Sequence, residues 1–396
     1  MRHDHDYLVI GGGMSGAAAA QAIHETAPAA TIGILGAEDH PPYDRPPLSK
    51  ALWKDASEDS IWRPIPETGA TLHRDRRALA VDADAHCVTD DHGDEYHYRK
   101  LLLATGGTPR RLAFAGDRVL AYRNLDDYHR LRELARDGAH IAVVGGGFIG
   151  CEIAAALATN GVRVSLVFPE STLGARVYPA GLSRFVHDYY RDHGVELHAG
   201  RKVQGGEQHG EHVTLQLDDG ATLTADAVVA GLGIEPDTRL AAAAGARIDN
   251  GIVVDECMRT SVPDIFAAGD VASFPSAALG RRLRVEHEDA ANSTGRHAGL
   301  AMAGAPTPYT QLPFFYSDLF DLGYEAVGTL DARLETVEDW VDPNRTGVVY
   351  YLDDGRVRGV LLWNTWDRVP AARDLIAELG PHDRASLVGR MRDQTS

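Results

Sequence analysis

The 396-residue chain sets 39 Lys plus Arg against 57 Asp plus Glu, a formal charge of −18, and this argues against a general nucleic-acid partner, because phosphate affinity needs a cationic surface. With 44% hydrophobic and 24% charged residues it has the composition of a soluble globular protein, and it is long for one core, so two or three domains are expected. No uninterrupted apolar segment is long enough to cross a bilayer, and Cys87, Cys151 and Cys257 stand too far apart for a disulfide scaffold or a C-x-x-C centre.

The cysteines are expected to be buried small residues in a reducing compartment. Met1 to Asp6 alternates histidine with aspartate and has no apolar signal core, so it reads as a frayed, solvated start to a cytoplasmic protein, with His3 and His5 not acting as metal ligands. No metal site is expected.

Tyr7 to Ile10 is a short apolar run suited to a buried parallel strand, and Gly11, Gly13 and Gly16 follow at dinucleotide-fold spacing. Gly11 allows the tight turn, Gly13 lets a pyrophosphate approach the backbone, and Gly16 lets the helix pack close to the sheet. Phosphates would sit over the free N–H groups of the helix start, and the small run Ala17 to Ala20 suits that helix. Thr31 to Leu35 supplies a second strand, and Glu38 lies 22 residues beyond Gly16, where a carboxylate that accepts from a ribose hydroxyl is expected.

Four prolines within Pro41 to Pro47 exclude a helix or central strand and hold the chain as a fixed extended loop. In it, Arg45 can aim at a pyrophosphate and Lys50 at the redox end of a cofactor, or both can be solvated surface cations. Part of Trp53 to Arg63 is expected to be helical, Ala70 to Leu72 a short strand, and His86 to Val88 with Glu95 to Lys100 a hairpin or small meander. Leu101 to Ala104 is a buried strand ending at Thr105 and Gly106, the end at which an open parallel sheet presents its ligand-facing loops.

Leu125 to Ala135 reads as a helix, and then the first pattern returns. Ile141 to Val144 leads into Gly145, Gly147 and Gly150 at the same spacing, then a helix over Ile153 to Ala158 and a strand over Val162 to Phe168. Two such turns allow one nucleotide in each unit. Phe168 stands where an acidic residue is expected at the strand end, and Glu170 follows; a carboxylate there repels a 2′-phosphate and favours NADH, while Arg163, Arg176 and Lys202 keep NADPH open.

Leu182 to Arg191 is a helix candidate, Val195 to Leu197 a strand, Val213 to Leu217 with Ala221 to Ala225 a hairpin, and Ala227 to Ala230 a buried strand ending at Gly231 and Gly233. From Ile252 the chain returns to the first domain. Asp264 to Asp270 is a strand whose exit carboxylate, Asp270, can accept from a polyol or cap a helix, and Asn292 to Met302 is the helix after it. Beyond Pro306 to Pro313 come strands at Val327 to Leu330, Val348 to Leu352 and Val357 to Trp363, a helix at Pro370 to Leu379, and a loose tail from Arg384 to Ser396.

The segments PYDRPPLSK (Pro42 to Lys50), GGGFIGCE (Gly145 to Glu152), SVPDIFAAGD (Ser261 to Asp270), GYEAVG (Gly323 to Gly328) and WNTWDRVPAA (Trp363 to Ala372) resemble the group of apoptosis-inducing-factor flavoproteins and FAD-dependent, NAD(P)H-oxidising ferredoxin reductases of bacterial oxygenase systems. The resemblance covers nearly the whole chain. It implies an α/β fold with two Rossmann-like, glutathione-reductase-like domains and a C-terminal α+β domain: residues 1–115 and 244–308 for FAD, 116–243 for NAD(P)H, and 309–396 covering the flavin.

By that resemblance Gly11, Gly13, Gly16, Glu38, Arg45, Thr105, Gly106 and Asp270 match flavin contacts, and Gly145, Gly147, Ile149, Gly150, Glu170 and Gly233 match pyridine-nucleotide positions. Phe148, Glu286 and His287 match the nicotinamide end, and Lys50 with Glu152 the ion pair beside the reactive flavin edge. Tyr316 stands where the family usually has tryptophan, and Glu288 after His287 where ferredoxin reductases commonly carry an aromatic residue.

The implied activity is hydride transfer from NADH, with NADPH open, to FAD, and then one-electron output to a [2Fe-2S] ferredoxin-type protein; the iron-sulfur centre would lie on the partner, since this chain has no cysteine set for it. The alternatives are a quinone or small-molecule reductase and an apoptosis-inducing-factor-like NADH redox sensor with slow turnover. A monomer or homodimer without membrane insertion is expected.

Overall fold

The computed structural model describes residues 1–65 and 69–392, and the chain packs into two compact units. One comprises Met1–Arg45, Ser57–Thr108 and Glu235–Pro313; the other comprises Pro46–Ala56, Pro109–Ile234 and Phe314–Ser396.

The first unit is built on a sheet with strand order Thr71–His73, Ile32–Leu35, Arg2–Ile10, Glu95–Leu103, Cys87–Asp90, Ala78–Asp82, with Ile265–Ala267 pairing to the far end of Glu95–Leu103. Its parallel part is apolar on both faces, as a sheet covered by helices must be: Leu8, Val9, Ile34 and Leu101 to Leu103 are buried. Helices Met14–Thr26 and Glu288–Met302 pack against each other through small residues. A Cβ on Gly295 would lie 2.4 Å from the Ser15 carbonyl oxygen, and one on Gly299 2.4 Å from that of Ala19.

Several expectations are corrected here. The polar N-terminus is not frayed: the first strand runs from Arg2, in register with Glu95 to Tyr98, and the His3 ring stacks on Tyr96 with centroids 4.7 Å apart. Cross-strand pairing and ring stacking hold a segment that hydropathy leaves unmarked. Cys151 and Cys257 are buried, but Cys87 is only partly so, because it lies on the sheet's antiparallel side. The meander has a third strand, Ala78–Asp82, whose residues are half-buried at most and carry no clean alternation. In the Trp53 to Arg63 stretch the helical part is two single turns, Ala51–Lys54 and Glu58–Ile61.

The second unit holds a parallel sheet in the order Val195–Ala199, Arg163–Phe168, His140–Val144, Ala227–Ala230, Val119–Leu120. An antiparallel sheet of Val203–His209, His212–Leu217 and Thr222–Ala225 adjoins it; the first of these strands, VQGGEQH, has no apolar alternation to announce it. Helices Leu125–Leu134, Phe148–Thr159 and Ala180–Asp192 belong to this unit. The proline loop contributes here too, and it is not extended throughout: Pro46–Ser49 is a 3-10 turn, which prolines tolerate at its start because those N–H groups need no partner.

The C-terminal sheet has the order Phe314–Leu319, Leu322–Gly328, Arg356–Trp363, Thr346–Asp353, Glu335–Asp342, with helix Val369–Ala377 packed on it. The strand expected over Val327 to Leu330 instead ends at Gly328, whose φ of 79° closes it. The tail is not loose where it is described. Arg384–Leu387 is a helical turn, Leu387 and Met391 are buried, and Asp339 accepts from the Gly389 N–H at 2.7 Å and pairs with Arg392. Positions 393–396 lie outside the described residues.

Gly295→Ala tests the helix crossing. Helix propensity alone would stabilise this variant by about 1 kcal/mol, whereas overpacking costs about 1–3 kcal/mol. With the Ser15 backbone 2.4 Å from the added carbon, the net is expected to be destabilising, read as a lower urea midpoint with unchanged slope.

Candidate functional site

The two glycine turns have the same construction. Gly11 has φ 122°, and a Cβ on it would lie 2.1 Å from the Ala104 carbonyl oxygen; Gly145 has φ 114°, and its Cβ would lie 2.3 Å from the Gly231 carbonyl oxygen. Gly16 and Gly150 press onto the carbonyls of Gly11 and Gly145, at 2.1 and 1.9 Å from a notional Cβ. These four positions accept no side chain.

Gly13 and Gly147 differ: a Cβ there would meet nothing within 4 Å. Each is the N-cap of the following helix, and neither provides a side chain to cap it. The first N–H groups of both helices are thus left for an outside acceptor, with room for it to approach the backbone, which fits the pyrophosphate of a dinucleotide at each turn.

Around the first turn, Glu38 accepts from the Tyr43 hydroxyl at 2.6 Å and from Arg45 at 2.5 Å. Burial opposes ionisation of Glu38, but the Arg45 guanidinium and these two hydrogen bonds outweigh it and hold the carboxyl below its usual range. The arginine expected to reach a pyrophosphate therefore rests on the carboxylate expected to take a ribose. The Thr105 hydroxyl donates to the Asp237 carbonyl at 2.7 Å, and Gly106, with φ 61°, accepts from the Asp237 N–H.

Asp270 lies in a 3-10 turn, Gly269–Val271, whose N-cap is Ala268, so it does not cap a helix; its negative charge acts on Arg45. Glu286 pairs with Arg284 at 2.6 Å, and His287 is the N-cap residue of helix Glu288–Met302.

In the second unit, Phe148 and Ile149 are exposed at the helix start, and the Phe148 ring lies 5.3 Å from that of Phe315. Glu170 is paired with Arg176, one of the cations that keep NADPH open, and Gly233 has φ 80°. The most demanding feature is Glu152, 2% exposed, with Lys50 Nζ at 2.7 Å. Its carboxylate is fully engaged: Oε2 also accepts from Ser49 Oγ at 2.6 Å, and Oε1 from Ser317 Oγ at 2.6 Å.

Ser49 and Ser317 were not singled out from the sequence. The only available signal was their adjacency to Lys50 and Tyr316, since a buried carboxylate needs donors that sequence spacing does not reveal. The Lys50 ammonium lies 5.1 Å from the Tyr316 ring centre, so the aromatic residue shields one side of it. A cavity of about 660 Å³ adjoins the pair, with Trp53, Asn160, Tyr189, Phe320 and Arg345 among its walls.

Two open glycine cradles on parallel sheets define a protein built to bind two dinucleotides, and the family match makes it an oxidoreductase that uses FAD and NAD(P)H. Residues 5–295 match the pyridine nucleotide-disulphide oxidoreductase family, and the chain belongs to it. Residues 298–346 and 342–378 match the C-terminal region described as apoptosis-inducing factor, mitochondrion-associated.

The chain is 35% identical over 363 residues to the 5,5'-dehydrodivanillate O-demethylase ferredoxin reductase subunit of Sphingobium sp., covering 89% of this chain and 88% of that relative. It is 33% identical over 414 residues to apoptosis-inducing factor 1, mitochondrial, of Dictyostelium discoideum, covering 93% and 78%. Among solved structures, the covalent putidaredoxin reductase–putidaredoxin complex aligns with a TM-score of 0.87 at 29% identity, over 94% of this chain and 93% of that one.

The depressed Glu38 pKa predicts a pH signature. A carboxyl whose folded pKa lies below its unfolded value contributes fully above the unfolded pKa, and the contribution is lost as pH falls through the folded one. Glu38→Gln is expected to lower Tm at neutral pH, with the gap to the parent protein closing in acid; a gap independent of pH would contradict the charge-paired assignment.

Proposed function

We propose that this chain is an NADH-preferring reductase that passes electrons one at a time to a small iron-sulfur protein. The observation that carries the reading is the pair of open glycine cradles together with a partly buried lysine held by a buried, fully hydrogen-bonded carboxylate. The output is supported by the relatives: one is named a ferredoxin reductase subunit, and a solved structure of similar fold was determined with its putidaredoxin partner. The three cysteines of this chain are free and well separated, so the iron-sulfur centre belongs to the acceptor.

When bound, FAD supplies the exchange between a two-electron hydride donor and a one-electron acceptor. The chain's part is to bind, orient and polarise. Gly11, Gly13 and Gly16 would admit the flavin nucleotide, and Glu38, Arg45, Thr105, Gly106 and Asp270 would be its further contacts. Gly145, Gly147 and Gly150, with Ile149, Glu170 and Gly233, would admit the nicotinamide nucleotide; the resemblance assigns Phe148, Glu286 and His287 to its nicotinamide end.

Glu152 fixes the Lys50 ammonium in one place, where it would supply positive potential to a bound flavin. Ser49 and Ser317 hold the Glu152 carboxylate in one orientation. Tyr316 screens Lys50 from one side, with less area than a tryptophan and an added hydroxyl. Glu170 disfavours a 2′-phosphate by charge, which is the basis of the NADH preference. The protein acts in the cytoplasm as a monomer or homodimer, and neither membrane insertion nor nucleic-acid binding is part of this reading.

Anaerobic mixing of the yellow protein with NADH is expected to bleach the flavin faster than NADPH does, and addition of a [2Fe-2S] ferredoxin is expected to restore the colour rapidly. Slow recovery with every ferredoxin, with rapid recovery on a quinone, would replace the acceptor. Slow recovery with both would favour a redox sensor.

Lys50→Ala is expected to slow the bleaching by about 10²-fold or more, the loss typical of one preorganised charge, while FAD stoichiometry stays unchanged. Unaltered bleaching kinetics and an unaltered flavin potential would remove Lys50 from the chemistry.

A further inference from the structure

The antiparallel side of the first unit carries a cluster unrelated to either glycine turn. Cys87 on strand Cys87–Asp90 is directly opposite His97 on strand Glu95–Leu103, and Glu95 precedes His97 by two places on the same face of its strand. One donor atom from each of these three residues lies within 4.8 Å of the others. Directly paired residues on adjacent strands bring their side chains within contact, and a glutamate on the diagonal is long enough to join them.

The imidazole is the telling member. His97 Nε2 is buried and makes no hydrogen bond, and the nearest carboxylate oxygen, Glu95 Oε2, is 3.6 Å away, too far for one. A buried polar atom in this state is costly unless something occupies its lone pair. Arg2 and Asp4 on the neighbouring strand stand opposite Glu95 and His97, but they are engaged with each other, with Arg2 Nη2 to Asp4 Oδ1 at 2.8 Å. Their charges act on the cluster through space, but they give His97 Nε2 no hydrogen bond.

We propose that Cys87, Glu95 and His97 form a binding site for a divalent transition metal of the zinc class. A thiolate, a carboxylate and a neutral imidazole balance a 2+ ion in charge, and the sulfur and nitrogen donors select it over magnesium or calcium. Tetrahedral zinc holds its donor atoms about 3.5 Å apart, so the cluster closes by side-chain rotation on strands that are already paired. Water completes the fourth position.

The site is structural and peripheral. His97 stands six residues before Leu103 on one strand, about 20 Å along it from the end that abuts the first glycine turn. The metal clips the meander's strands together and takes no part in hydride transfer.

Cobalt(II) titrated into the FAD-loaded protein tests this directly. One equivalent is expected to produce a thiolate-to-cobalt charge-transfer band with visible bands of tetrahedral intensity, and one equivalent of zinc should abolish them. Cys87→Ser should eliminate the charge-transfer band, and His97→Ala and Glu95→Gln should each weaken cobalt binding at least tenfold. Flavin absorbance and bleaching by NADH, expected to be unchanged in all three variants, report that they are folded. Absence of the band in the parent protein, or its persistence in Cys87→Ser, would overturn the proposal.

Discussion

Burying a carboxylate to 2% exposure is costly unless its oxygens are engaged, and Glu152 meets that condition by drawing on three separate stretches of chain. Ser49 and Lys50 come from the proline loop, Glu152 from the helix behind the second glycine turn, and Ser317 from the edge strand of the C-terminal sheet. The fixed loop, the helix and that sheet must therefore be in place together for its oxygens to find these partners. This explains why residues 46–56 pack with the second unit although they follow the first unit's second strand in sequence. Placing an ammonium precisely and anchoring a loop are here the same interaction.

The glycine turns impose a different kind of constraint, one of space rather than charge. At Gly11 and Gly145 the backbone passes so close to a neighbouring strand end that no side chain fits, and at Gly16 and Gly150 the helix start presses on the turn itself. The result in both cases is an uncapped helix N-terminus with clear space before it at Gly13 and Gly147. The first helix pays for its tight seat with further small residues, since Gly295 and Gly299 let a second helix lie directly on its backbone. Nucleotide binding and close helix packing thus follow from one set of absent side chains.

Much of the candidate site was legible because its residues belong to contiguous patterns. Glycines at fixed spacing after an apolar run, and a lysine ending a proline-rich loop, are readable along the chain, and Lys50 and Glu152 do meet at 2.7 Å. Ser49 and Ser317 were not legible, because a hydroxyl donor to a buried carboxylate has no composition or period of its own. The pairing of Arg45 with Glu38 was also hidden: each was read toward a ligand, whereas in the structure they hold each other. The meander's exposed strand Ala78–Asp82 and the glycine-bearing strand Val203–His209 escaped for a related reason, since their partners, not their own alternation, make them strands.

By itself the chain's order of residues determined the two parallel sheets, their glycine turns, the return of the chain after Ile252 and the family to which it belongs, because each rests on local steric rules or on short contiguous motifs. Tertiary structure alone decided how the polar ends were used. The histidine-rich start became a strand through its pairing with Glu95 to Tyr98, and the chain's last described residues were tied down by Asp339. Hydrophobic pattern reports which face of an element avoids water; it does not report which distant polar group will satisfy a hydrogen bond, and that second question shaped the charged centre and both ends of this chain.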